Sequence, residues 1–172
     1  MMRLRLRALV CLGLLFLAGC GYHFVERQQI LPGQIRSIEV PIFQNVTARP
    51  FLETILTNHV RSRFARFTGV DLVADSQQAE GRLLGKIIAY DVKATAFDAQ
   101  DNIIEYTATL QVDVTLRQVS NGKALWKNLV SWDGTFPAGI DKNLQEVNQN
   151  KAVEEITEKI AGEILYRMLD DF

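Results

Sequence analysis

The chain has 172 residues, 19 basic and 20 acidic side chains, two histidines and two cysteines, for a formal net charge of −1. That balance excludes a nucleic-acid binder by bulk charge, and the length suits one domain with a single core. Catalysis lacks a constellation: no GxSxG, HExxH, glycine-rich phosphate loop or CxxC occurs, and Ser37, Ser62, Ser76, Ser120 and Ser131 have no evident partner. His59 reads as a packed or edge histidine on a helix, and no cofactor or metal set is expected.

At the N-terminus Arg3, Arg5 and Arg7 precede an apolar run over residues 8–17. These are the charged and apolar regions of an export signal, and the run is about half the length of a bilayer span. Ala18-Gly19-Cys20 resembles a lipobox, in which the thiol is lipidated and the signal is cut immediately before it. Residues 1–19 are then a cleaved signal peptide and residues 20–34 the lipid anchor and a short tether. A bacterial lipoprotein cysteine carries three acyl chains (palmitate among them), and two or more hold a protein durably on a membrane. Removing the signal leaves 16 basic residues against 20 acidic. With Cys11 removed and Cys20 lipidated no thiol remains, so disulfides, thiol catalysis and cysteine metal sites are excluded.

Residues 35–43 alternate as a strand, and Pro41 places it at an edge or ends its pairing. Pro50 suits a first helical position, and Phe51, Leu52, Ile55, Leu56, Val60, Phe64 and Phe67 mark an amphipathic helix of about five turns that Gly69 stops. Its Arg61, Arg63 and Arg66 read as a solvated face. Residues 70–74 form a short strand and residues 81–96 a long one. In the long strand Leu84, Ile88, Tyr90 and Val92 oppose Leu83, Ile87 and Ala89, so its middle is expected to be covered on both sides. After an acidic turn, residues 98–102, the next strand alternates strictly. Ile104, Tyr106, Ala108, Leu110, Val112, Val114 and Leu116 form an apolar face against a wholly polar one that includes Thr107, Thr109, Gln111 and Asp113.

Asn121-Gly122 predicts a hairpin with a type I′ turn. The returning strand, residues 124–136, places Trp126, Val130, Trp132 and Phe136 together. A closing helix over residues 144–169 carries the stripe Val147, Val153, Ile156, Ile160, Ile164 and Met168, with its first two turns loosely packed. The expected fold is α+β: two helices packed on one face of a mostly antiparallel, roughly four-stranded sheet, a two-layer sandwich over residues 35–172.

The run Cys20-Gly21-Tyr22-His23-Phe24, the Ile104-Glu105-Tyr106 opening of the long strand, and the order strand, helix, meander, helix resemble the LPS-assembly lipoprotein family of Gram-negative outer membranes. The resemblance implies a non-enzymatic, outer-membrane lipoprotein. Its domain lies on the periplasmic side within the lumen of the large β-barrel that inserts lipopolysaccharide, helps that barrel assemble, plugs it, and binds lipopolysaccharide. Gly21 after Cys20 is compatible with release to the outer membrane. The polar face with Thr107, Thr109 and Gln111 becomes the barrel-facing surface. The family's basic lipid A contacts at loop tips away from the tether map onto the 98–102 turn, which is acidic here, so Lys142 and then Lys123 become the candidate lipopolysaccharide contacts. The alternative is another outer-membrane assembly or lipid-binding lipoprotein on the same scaffold.

Overall fold

The computed structural model describes residues 31–75 and 77–170. The signal peptide, Cys20 and most of the tether lie outside the described residues.

Six strands form one mixed sheet: β1 (Ser37–Glu39), β2 (Gln44–Asn45), β3 (Asp71–Leu72), β4 (Gly81–Phe97), β5 (Ile103–Gln118) and β6 (Ala124–Pro137). The order is β3-β1-β4-β5-β6, with β2 also on β4. Helices α1 (Leu52–Ala65) and α2 (Lys142–Asp170) cover one face. The class is α+β as expected, but the sheet is larger than four strands and only partly antiparallel. β1 pairs in parallel with both β3 and β4, and β2 in parallel with β4. The physical reason is the α1 crossover. A chain that leaves a strand through a helix returns in the same direction, whereas the meander β4-β5-β6 turns through short loops and is antiparallel.

Pro41 explains why residues 35–43 do not make one strand. Lacking an N–H, it interrupts the ladder between β1 and β2. Pairing does stop there, yet β1 is interior, between β3 and β4. The broken segment is held from the helix side, where the Thr57 hydroxyl accepts the Phe43 N–H at 3.0 Å and donates to the Glu53 carbonyl at 2.5 Å. Phe43 then lies across β4 at Gly85, where a Cβ would collide with its ring.

In β4 the expectation of two-sided burial is corrected by a bulge. The register shifts between Ile87 and Ala89, so an extra residue re-phases the alternation. Before it Leu83, Gly85 and Ile87 face the core; after it Tyr90 and Val92 do. Leu84 and Ile88, 37% and 40% exposed, lie on the uncovered side. The β5 alternation holds from Ala108 on: Ala108, Leu110, Val112, Val114 and Leu116 are buried, and the intervening residues are not, whereas Ile104, expected on the same apolar face, is 49% exposed where the strand runs past the core.

Helix α1 begins at Leu52, not at Pro50, because Phe51 takes a left-handed conformation, φ 67°, as its cap. Leu52, Leu56, Val60 and Phe64, one per turn, are fully buried. Helix α2 begins at Lys142, capped by Asp141, whose carboxylate accepts the Leu144 N–H at 2.8 Å. Its burial begins only at Ala152, in keeping with loosely packed first turns, but Val147, expected in the apolar stripe, is 61% exposed because the helix there runs past the core. Fully burying side chains such as Ile156, Ile160 and Ile164 contributes about 1.5–3 kcal/mol each. His59 joins the helices, its Nδ1 3.0 Å from the Thr157 hydroxyl and its Nε2 3.3 Å from Glu154, the packed histidine expected.

The β5–β6 connection is not a two-residue type I′ turn. It spans residues 119–123, Gly122 alone takes a positive φ (71°), and its N–H reaches the Gln118 carbonyl. No helix among the described residues is long and apolar enough to cross a membrane. Replacing Thr57 with Val keeps the shape but leaves the Phe43 N–H buried without an acceptor. The variant is expected to lose about 1–3 kcal/mol in denaturant unfolding, and an unchanged midpoint would show that the hydroxyl does not hold this crossover.

Candidate interaction surfaces

Because both helices lie on one side of the sheet, its other face is left open, with β5 as the midline of its long β4-β5-β6 part. The cross-strand rows there are Ala89–Gln111–Ser131, Asp91–Thr109–Asp133 and Lys93–Thr107–Thr135. All but Ala89 present hydrogen-bonding groups. Thr107 donates to the Thr95 hydroxyl at 3.1 Å, and Thr95 reaches Glu105 at 3.4 Å. Thr107, Thr109 and Gln111 are thus brought together on one half-buried polar strip.

Toward the start of β4 the same face changes character. Arg82 pairs with Glu39 at 2.6 Å and Lys127 with Asp113 at 3.2 Å. Lys86 stands directly opposite Asp113 in the ladder, and Arg117 donates to the Gly122 carbonyl at 3.1 Å. The Asp113 Oδ1 is buried and has no hydrogen-bond partner. A groove of about 300 Å³ lies here, bordered by Ile42, Leu84, Lys86, Thr115 and Arg117 with Asp113. A β4 covered on both sides would leave no room for this groove. The available signal was Lys86 between Leu84 and Ile88, a charge where a covered strand would carry an apolar residue.

The two candidate lysines are not brought together. Lys123 follows the end of β5, and Lys142 follows the end of β6 that pairs with the start of β5. Sixteen residues of β5 at about 3.3 Å each separate those ends by roughly 50 Å. The described chain begins at the Lys123 end. Leu31 and Ile35 enter the core there, with Ile35 against Gly81 and Gly33 against Leu125. Lys123 therefore lies at the tether end of the sheet, and Lys142 at the far tip.

That tip is acidic and apolar. The Asp98 carboxylate accepts the Asn102 side-chain amide at 2.9 Å and the backbone N–H groups of Asn102 and Gln100, each at 2.9 Å. The Asn102 amide and backbone N–H hold the Asp98 carboxyl below its ordinary range, the Gln100 N–H adds to this, and desolvation opposes it. Beside the turn stand Phe97 and Ile104, and Ile140 on the next connection is 94% exposed. Arg61 of α1 and Arg66 at its C-terminal cap are exposed; Arg61 donates to the Val40 carbonyl at 2.8 Å and Arg66 to the Ser62 carbonyl at 3.1 Å. Among the described residues no group of three or more His, Cys, Asp or Glu side chains is placed to hold a metal ion.

Two helices on one face of a mixed sheet, with a polar and partly cationic face left open, define a two-layer α+β domain. Solved structures share the fold. A lipoprotein B from Nitrosomonas europaea aligns with a TM-score of 0.55 at 11% identity, over 85% of this chain and 88% of that one. The rare lipoprotein B from Shewanella oneidensis aligns with a TM-score of 0.52 at 15% identity, over 79% and 96%. The lipopolysaccharide-assembly (LptE) family model matches residues 35–168, and the chain belongs to that family. That family is one of lipoproteins with a role in lipopolysaccharide assembly. No curated protein matches the sequence.

The Asp98 turn carries a pH prediction. A depressed carboxyl stabilises the turn above the ordinary carboxylate range, and that contribution is lost as pH falls through the lowered value. The midpoint at which the Gln100 and Asn102 amide resonances move should lie below the ordinary aspartate value. A midpoint at or above that value would contradict these hydrogen bonds.

Proposed function

We propose that this chain is the luminal plug and assembly partner of the outer-membrane β-barrel that delivers lipopolysaccharide to the outer leaflet, held at the periplasmic side by lipidated Cys20. The observation that carries the reading is the open sheet face. Three successive rows of Thr, Gln, Ser, Asp and Lys run across three strands whose reverse side is core. The interior of a large barrel is polar and water-filled, so a domain seated in it needs hydrogen-bonding surface, and Thr107, Thr109 and Gln111 supply its midline. The family match over residues 35–168 gives the process in which such a partner acts.

Lys142 is the candidate lipopolysaccharide contact at the tip, and Lys123, at the tether end, is the weaker one. Photo-crosslinkers at Thr109 and Gln111 in native membranes should capture a large β-barrel, while one at Lys159 on the exposed face of α2 should capture little. Efficient capture at Lys159 with none at Thr109 would reverse the orientation. Lys142→Glu should weaken lipopolysaccharide binding and leave barrel co-purification intact; unchanged binding in a direct titration would remove Lys142 from the contact.

A further inference from the structure

Strand β6 ends the sheet on one side, and its free edge is unevenly covered. The Ala138 N–H donates to the Ile104 carbonyl, so in the β5–β6 register the even-numbered residues from Trp126 to Phe136 turn their backbone groups inward to β5. By the alternation of an antiparallel ladder, the odd-numbered residues turn theirs outward. The ends of that edge are capped from α2. Asn148 donates to the Pro137 carbonyl at 3.0 Å, and Arg167 donates to the Leu129 carbonyl at 3.5 Å; Pro137 has no N–H to offer. Between these caps stand Ser131, Asp133 and Thr135. All three are exposed, and no strand or side chain among the described residues bonds their outward N–H and C=O groups. Trp132, among them on the helix side, is 39% exposed. Residues 129–137 span roughly 27 Å at about 3.4 Å per residue, room for a strand of ordinary length. The opposite free edge, β4 beyond Ile87, is less regular, because its register shifts again around Ala96 and Arg49 lies over Tyr90.

We infer that the edge at Ser131, Asp133 and Thr135 takes one added β-strand from the membrane partner, extending the sheet beyond β6. An unpaired edge is a template for such a strand, with main-chain hydrogen bonds supplying affinity and alternate side chains supplying specificity. The three polar rows of the open face end on these same residues, so the added strand lengthens each row and continues the proposed contact surface. A second copy of this chain fits poorly. Antiparallel pairing about a two-fold axis at the middle of the free stretch sets Asp133 against Asp133, and like charges directly opposite destabilise a sheet. The occupant therefore carries a basic or neutral hydrogen-bonding residue opposite Asp133 and apolar side chains toward Trp132. A closed barrel wall has no edge of its own to offer. The inference rests on the proposed barrel partner, and on that reading the strand comes from an extension of the barrel chain outside its wall, in the lumen or on the periplasmic side.

The test is hydrogen exchange, resolved to single residues, on the full-length lipoprotein alone and in the complex purified from native membranes. In the complex the Ser131, Asp133 and Thr135 amides should exchange at least about tenfold more slowly than in the free chain. The Val130, Trp132 and Gly134 amides, bonded to β5, should be slow in both. Equal exchange of the three outward amides in the two samples overturns the inference. Protection that appears in the isolated lipoprotein and grows with its concentration overturns the partner strand and makes the occupant a second copy. Ser131→Pro and Thr135→Pro each delete one outward N–H, a change an edge strand accepts. Each should keep the native unfolding midpoint and lower recovery of the partner in mild detergent at least about threefold; full recovery by both folded variants overturns the site. Where a variant loses its midpoint, the exchange pattern of the native chain decides. The plug reading fails separately. Protected outward amides against a partner that is no β-barrel overturn that reading and uphold the strand site, whereas a barrel that co-purifies while these amides stay unprotected overturns the strand alone.

Discussion

The structure depends on the alternation of one strand. In β5 every second side chain from Ala108 to Leu116 is buried, and the residues between them face the uncovered side. A slip of one residue would exchange the two sets and put Thr109, Gln111 and Asp113 against the helices. Pinned on both flanks by β4 and β6, this strand fixes which side α1 and α2 must cover. The helices in turn leave the opposite face uncovered. Core and proposed interaction surface are two sides of the same register.

The remaining sheet is fitted around that midline by local breaks. The bulge at Ile87 to Ala89 re-phases β4, so that Leu83 and Ile87 below it and Tyr90 and Val92 above it all reach the core. One consequence is that Leu84, Lys86 and Ile88 emerge together on the open side. Pro41 divides the first strand, and the Thr57 hydroxyl satisfies the backbone group nearest the gap. The groove lies where these two irregularities meet, between the divided strand and the lower half of β4.

What was legible in the sequence follows from how local each signal is. The period of β5, the stripe of α1 and that of α2 are set by their own residues, and they predicted two helices on one face of a sheet. The parallel pairings of β1 with β3 and β4 were not legible, because two- and three-residue strands carry almost no periodicity and their partners lie far along the chain. The bulge was hidden for a related reason: an extra residue and a strand buried on both faces leave the same apolar run. For the candidate surface, Thr107, Thr109 and Gln111 could be grouped from alternation alone. The separation of Lys123 from Lys142 required knowing that β5 carries its two ends roughly 50 Å apart.

The central claim is that the open sheet face, and not the helical face, meets the partner. The direct measurement is a cryo-electron microscopy structure of the chain purified with its membrane complex. The account predicts density from a barrel wall against the β5 midline at Thr107, Thr109 and Gln111, with α1 and α2 on the side away from that contact. A complex in which α1 and α2 face the wall and the β5 midline lies in open solvent would contradict it.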